Sequence, residues 1–171
     1  HKRSGGRSHW KGDYVDGSTK PLLPFGFGLS YTTFAYSDFE IESEEVTTTG
    51  SFKASICVQN TGNMPGDAVV QLYCADPVAS VTRPVKELKG FARVHLECGQ
   101  KVRVQFEVAA SQMAFVDRGM RFVVEPGEIQ VMFGEHAEKI AASGTVTLTG
   151  EKQCVDESRE FFSQYTVKDM G

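Results

Sequence analysis

The side chains whose types are suited to chemistry are four histidines (His1, His9, His95, His136), four cysteines (Cys57, Cys74, Cys98, Cys154) and a polar-aromatic cluster near the start of the chain. The histidines have no metal-ligand spacing, and the cysteines form neither a CxxC pair nor a stapled-scaffold pattern, so we expect no metal centre and no cofactor. No nucleophile motif accompanies a Cys-His-Asp set, and no cysteine has a neighbour that would activate it, so the thiols read as neutral, mostly buried and free. His9, Trp10, Asp13, Tyr14 and Asp16 stand close together. An aromatic face beside carboxylates can stack on a polyhydroxylated ring and hydrogen-bond its hydroxyls, which makes His9, Trp10, Tyr14 and Asp16 the candidate ligand-binding residues. The plainer reading is a loop whose aromatics anchor it to a neighbouring domain. Glu44 and Glu45 read as a solvated turn. Arg83, Lys86 and Glu87 suit a polar contact between domains, and exposed strand charges would look the same.

The elements that must position these groups are strands. From about residue 34 to 149 apolar and polar residues alternate, the signature of half-buried strands. In SFKASICVQN, Phe52, Ala54, Ile56 and Val58 share one face, opposite Ser51, Lys53, Ser55, Cys57 and Gln59. In QKVRVQFEV, Val102, Val104, Phe106 and Val108 alternate with Lys101, Arg103, Gln105 and Glu107. Val70, Leu72 and Cys74 are expected to face inward, with Tyr73 as the main aromatic on an outer face. Further strands are expected at FAYSDFEIES, VKELKGFARVHL, MRFVVE, GEIQVMFG and SGTVTLTG, with a hairpin or tight corner at Pro126-Gly127 and a single helical turn within residues 109–117. Gly62, Pro65 and Gly66 mark a turn. Pro84 argues against a central paired position, and Gly90 suggests a bulge or close approach before Phe91 returns to the core.

Strands of this number and spacing predict an all-β fold, an immunoglobulin-like or fibronectin type III-like β-sandwich of seven to eight antiparallel strands. An antibody-type domain is excluded because the only tryptophan, Trp10, lies outside the strand region. The expected organisation is a segment 1–33 without sustained period, a sandwich 34–149, and a tail 150–171 that is either a short aromatic-docked helix or a linker. Eighteen basic against 22 acidic residues give a net charge of −4 with no basic stripe, which disfavours nucleic acid and an anionic membrane surface as partners. No apolar run is long enough to span a bilayer, and the first ten residues show no apolar signal-peptide core. The unpatterned cysteines lean toward a reducing compartment, with a secreted or periplasmic one left open.

Two stretches carry more than pattern: KPLLPFGFGLSYTTFAYSDF at 20–39 and GDAVVQLYCADPVASVTRPVKELKGFARVHLECGQ at 66–100. PFGFGLSYT resembles the PFGxGLSYT segment of glycoside hydrolase family 3 enzymes, and RPVKELKGF resembles their RPxKELKGF segment. AFVDRGMRFVVEPGEIQVMFG is similar to the family's closing hairpin, and SGGRSHWKGDYVDG to its lead-in. The resemblance covers roughly residues 10 to 149. It implies the fibronectin type III-like domain of a retaining β-glucosidase or β-xylosidase, preceded at 1–33 by a remnant of an α/β sandwich domain. Such hydrolysis needs two carboxylates about 5 to 5.5 Å apart. In the family these come from the barrel and α/β sandwich domains, so no catalytic residue is carried over and this chain is expected to be inactive alone. The implied role is structural, packing on the catalytic barrel and α/β sandwich domains of the same parent. Phe25, Phe27, Tyr31, Arg83, Lys86 and Glu87 are the expected interface residues. The alternative is a carbohydrate-binding module that holds polysaccharide near the parent's active site. A free-standing adhesion sandwich leaves both motifs unexplained.

Overall fold

The computed structural model describes residues 21–155 and 159–171. Its strands are β1 (Phe34–Ile41), β2 (Glu45–Thr47), β3 (Ser51–Asn60), β4 (Gly66–Ala75), β5 (Glu87–Leu96), β6 (Lys101–Ala109), β7 (Phe115–Val116), β8 (Phe122–Val124), β9 (Gly127–His136), β10 (Lys139–Thr149), β11 (Gln153–Cys154) and β12 (Gln164–Asp169). One sheet has the order β1-β3-β6-β12, a second β2-β10-β9-β4-β5, and a small third β11-β8-β7. Pairing is antiparallel except between β2 and β10. The fold is all-β, with one 3-10 turn at Ala110–Met113 inside the span where the alternation breaks. Among the described residues, twelve strands in three sheets exceed the expected seven to eight, because five pieces of two to six residues supplement seven strands of eight or more.

Alternation places the core where side-chain periodicity requires it. Phe52, Ala54, Ile56 and Val58 of β3 and Val102, Val104, Phe106 and Val108 of β6 form one buried wall. Val70, Leu72 and Cys74 of β4, Ala92, Val94 and Leu96 of β5, Ile129, Val131 and Phe133 of β9, and Val146 and Leu148 of β10 form the other. Each Val, Leu, Ile or Phe among them contributes about 1.5–3 kcal/mol by leaving water.

Several details depart from expectation. Phe91 does not return to the core: it stands on the outer face of β5, half exposed. Gly90 does make the close approach, since a Cβ there would lie 2.8 Å from the Phe106 ring and 3.1 Å from Ser163 Cβ. The β4–β5 register also slips between Leu72 and Tyr73, a bulge that lets the chain pass over Phe106. Of the two alternatives expected at Pro126-Gly127, the corner is the one found, because β8 belongs to the third sheet while β9 pairs with β4 and β10. The tail contributes an edge strand, β12, and not a helix. Its alternating Tyr165 and Val167 suit a pleat that β6 already offers. Tyr73, assigned to an outer face, is 1% exposed. Cys57 and Cys74 are buried and Cys98 and Cys154 exposed, and all four are free thiols.

Candidate interaction surface

Segment 21–33 is a strap laid over the second sheet and tied down at three places. The Ala137 N–H donates to Phe25 O at 3.0 Å. Gln71 Nε2 donates to Gly26 O at 2.8 Å and to Glu135 O at 2.6 Å, while its Oε1 accepts from the Tyr73 hydroxyl at 2.5 Å. Gly26 sits at φ +81°, and a Cβ there would run into Gln71 Oε1 and the Tyr73 hydroxyl. Glycine alone satisfies both the left-handed backbone and the close approach. Farther along, Thr32 Oγ1 donates to Asn60 Oδ1 at 2.7 Å, and the fully buried Asn60 donates to Met64 O and Leu96 O. Every polar atom of that amide is thereby used, as burial demands. Phe27 packs on His136, ring centroids 5.6 Å apart.

The second motif converges on the same turn. Lys86 Nζ donates to Ala137 O at 2.6 Å, so Ala137 holds the strap through its N–H and the 76–86 loop through its carbonyl. Arg83 is the loop's buried anchor. It donates to Met113 O at 2.6 Å and to Glu87 Oε1 at 2.8 Å, lies 3.7 Å from Asp76 Oδ2, and stands 5.1 Å over the Phe115 ring. Lys89, also buried, donates to Glu87 Oε2 at 2.9 Å and to Gln112 O at 2.7 Å. Of the expected interface residues, Phe25, Phe27 and Lys86 are therefore brought together around Ala137, Arg83 and Glu87 are engaged within the fold, and Tyr31 projects almost fully into solvent. His9, Trp10, Asp13, Tyr14 and Asp16 lie outside the described residues. What the surface displays is apolar: Leu22, Leu23, Phe25, Leu29 and Val85 are all more than half exposed.

Gln71 and Asn60 were missed by sequence reasoning. Gln71 occupies an outward position of an alternating strand, where a polar residue ordinarily meets water, and only the strap's placement makes it a latch.

The electrostatics do not favour acid catalysis. Burial pushes the Glu87 carboxyl up, but hydrogen bonds from Arg83 and Lys89 outweigh it and hold the group below its usual range. Asp67 is held down by hydrogen bonds from His95 and Arg93. Asp117 accepts from the Arg121 backbone N–H, from the Arg121 and Lys152 side chains and from the Gly119 N–H, which lowers it to about 2. A general acid needs the opposite shift. Among the described residues no group of three or more His, Cys, Asp or Glu is placed to hold a metal ion, and no helix is long and apolar enough to cross a membrane.

Asp117 supports a pH prediction. Its folded value lies below the unfolded one, so its stabilising contribution is present above about pH 4 and fades as pH falls toward about 2. Asp117→Asn should therefore melt below the unaltered chain at about pH 7, with the gap closing at about pH 2.5. A gap of constant size in thermal melts at both pH values would show that the turn does not depend on the charge.

Comparison with known proteins decides what kind of domain presents this surface. Residues 68–137 match the family described as "Fibronectin type III-like domain". These residues are a fibronectin type III-like domain. The chain is 39% identical over 127 residues to a periplasmic β-glucosidase of Salmonella typhimurium, covering 74% of this chain and 17% of that protein. It is 40% identical over 139 residues to a β-xylosidase of Formosa agariphila, covering 81% and 19%. Among solved structures, a β-glucosidase of Erythrobacter marinus superposes with TM-score 0.74 at 40% identity, over 80% of this chain and 18% of that one. A β-glucosidase of Listeria innocua bound to glucose superposes with TM-score 0.73 at 32% identity, over 81% and 19%. The fibronectin type III-like domain and its flanks thus correspond to the accessory C-terminal region of family 3 glycoside hydrolases, and the chain spans less than a fifth of the length of these relatives.

Proposed function

We propose that this chain is the structural and interaction module of a family 3 glycoside hydrolase acting on β-glucosides or β-xylosides with retention. It docks on the catalytic barrel and α/β sandwich domains of the same polypeptide through the strap and the 76–86 loop. The convergence of both motif segments on Ala137 carries this reading, because it draws the strap bearing exposed Leu22, Leu23 and Phe25 toward the loop bearing exposed Val85. Contiguous exposed apolar surface marks an interaction site, and relatives about five times longer offer a partner in the same chain. We further propose that the two larger sheets are the fibronectin type III-like sandwich, that its boundary extends to Asp169 so as to include β12, and that residues 1–33 belong to the preceding domain's end. Hydrolysis then falls to parts of the parent outside this chain.

Replacing Leu23, Phe25 and Val85 together by serine should lower the melting temperature of the full-length protein while leaving that of this chain by itself nearly unchanged. Unaltered melting and activity of the full-length protein would remove this docking face from consideration. The carbohydrate-binding alternative loses Tyr73, which is buried beneath the strap. It retains Phe91, Phe162 and Tyr165, which line a cleft with Arg93. Affinity electrophoresis through cellulose- and xylan-derived gels tests it directly, and we expect unretarded migration.

A further inference from the structure

Three of the four edges of the two large sheets carry devices that discourage pairing with another strand. β1 is bulged between Ser37 and Glu40, with Asp38 at φ 52°, and displays Asp38 and Glu40, with Glu42 just past its end. β2 has three residues and is led by Glu44 and Glu45. β5 is bulged, and its Lys89 carbonyl accepts from both the N–H and the hydroxyl of Ser163. Bulges, brevity, charge and coverage are the usual means of blunting an edge.

Among the described residues β12 has no bulge and no covering strand, and its two charges, Lys168 and Asp169, stand together at its C-terminal end. Its six residues pair with β6 in unbroken register from Gln164↔Glu107 to Asp169↔Val102. All six are exposed, and among the described residues no strand pairs with the outer side. The sequence QYTVKD alternates, and Tyr165 and Val167 sit opposite Phe106 and Val104 on the core-facing side, yet they remain 48% and 43% exposed. Phe162, Phe161 and Met170 extend the apolar band at either end of the strand.

We infer that β12 is a self-pairing edge, and that two copies of this chain associate through an antiparallel β12–β12 contact joining two four-stranded sheets into one. The strand's self-complementarity selects a second copy over an unrelated strand. With a two-fold axis through Thr166, Thr166 faces Thr166, Tyr165 faces Val167 twice, and Gln164 faces Lys168 twice. Aromatic to β-branched and Thr to Thr pairs are favourable cross-strand neighbours, and this register brings no like charges opposite one another. The contact is isologous, as a two-fold dimer requires. Five paired residues per strand bury far less than the roughly 1,600 Å² of a standard interface, so the dimer is weak and reversible.

The test is sedimentation velocity of the 171-residue chain across about 10 to 500 µM, the span in which a weak contact of roughly −5 to −7 kcal/mol would shift from monomer to dimer. The expected result is a monomer–dimer equilibrium. Thr166→Lys and Thr166→Glu each place like charges at the axis and should raise the dissociation constant about tenfold or more. Their equimolar mixture should recover the dimer, while thermal melts confirm that each variant is folded. A chain monomeric throughout the range overturns the inference, as does a dimer indifferent to both substitutions. A mixture that fails to re-associate overturns the Thr166 register.

Discussion

Replacing Arg83 by alanine is expected to destabilise the chain by about 3–5 kcal/mol, the usual cost of removing one partner from a buried charge cluster. The side chain is 7% exposed and serves four groups at once: the Met113 carbonyl, the Glu87 and Asp76 carboxylates, and the Phe115 ring. Alanine leaves the carbonyl without its donor and leaves Glu87 dependent on Lys89 alone. It also frees the loop that carries Val85 and Lys86. Arg83→Lys should recover only part of the loss, because an ammonium cannot present the forked donors that meet Met113 and Glu87 together. Urea unfolding at neutral pH measures both. A loss below about 1 kcal/mol for the alanine variant would place the cluster among solvent-screened surface pairs.

A loss of similar size is expected from Phe106→Ala, about 3–5 kcal/mol for an aromatic deleted from a closed core. Phe106 is fully buried, with its ring centroid 5.8 Å from that of Phe133 and 5.9 Å from that of Tyr165. The Gly90 backbone presses on it from the second sheet, so the cavity is walled by main chain that cannot collapse into it. For a chain of this size each kcal/mol lowers the melting temperature by roughly 2–4 °C, which makes the effect easy to read. Phe106→Leu should cost distinctly less because it keeps most of the volume. If alanine and leucine proved equivalent, Phe106 would not be the packing centre that joins β6, β9 and β12.

How much of this was legible beforehand follows from the range of each interaction. Alternation in β3, β4 and β6 could be read because side-chain direction depends on the residue's own strand. Every inward residue named in those strands is buried. Phe91 was misplaced because an aromatic after a glycine was read as a core residue against the alternation of its own strand. Ala92, Val94 and Leu96 alternate inward and put Phe91 outward with Arg93 and His95. Gly90, buried next to it against Phe106 16 residues away, has no side chain to mark the start of that alternation. Tyr73 stands on the outer face of β4 beside Gln71, as read, but the strap buries it, and that cover comes from a glycine 47 positions earlier. β12 escaped notice because six residues of mixed polarity make a strand only when β6 offers a free edge.

The amino-acid order alone was enough to determine an all-β chain, the two motif segments and their family resemblance, and the inward set of the long strands, all of them matters of local period or contiguous pattern. Only the folded molecule decided that PFGFG and RPVKE meet at Ala137, that Gln71 and Asn60 are latches, and that β12 closes one sheet while leaving its outer edge open. Those outcomes depend on hydrogen bonds and steric contacts between residues far apart in sequence, and such pairings exist only once the sheets have packed.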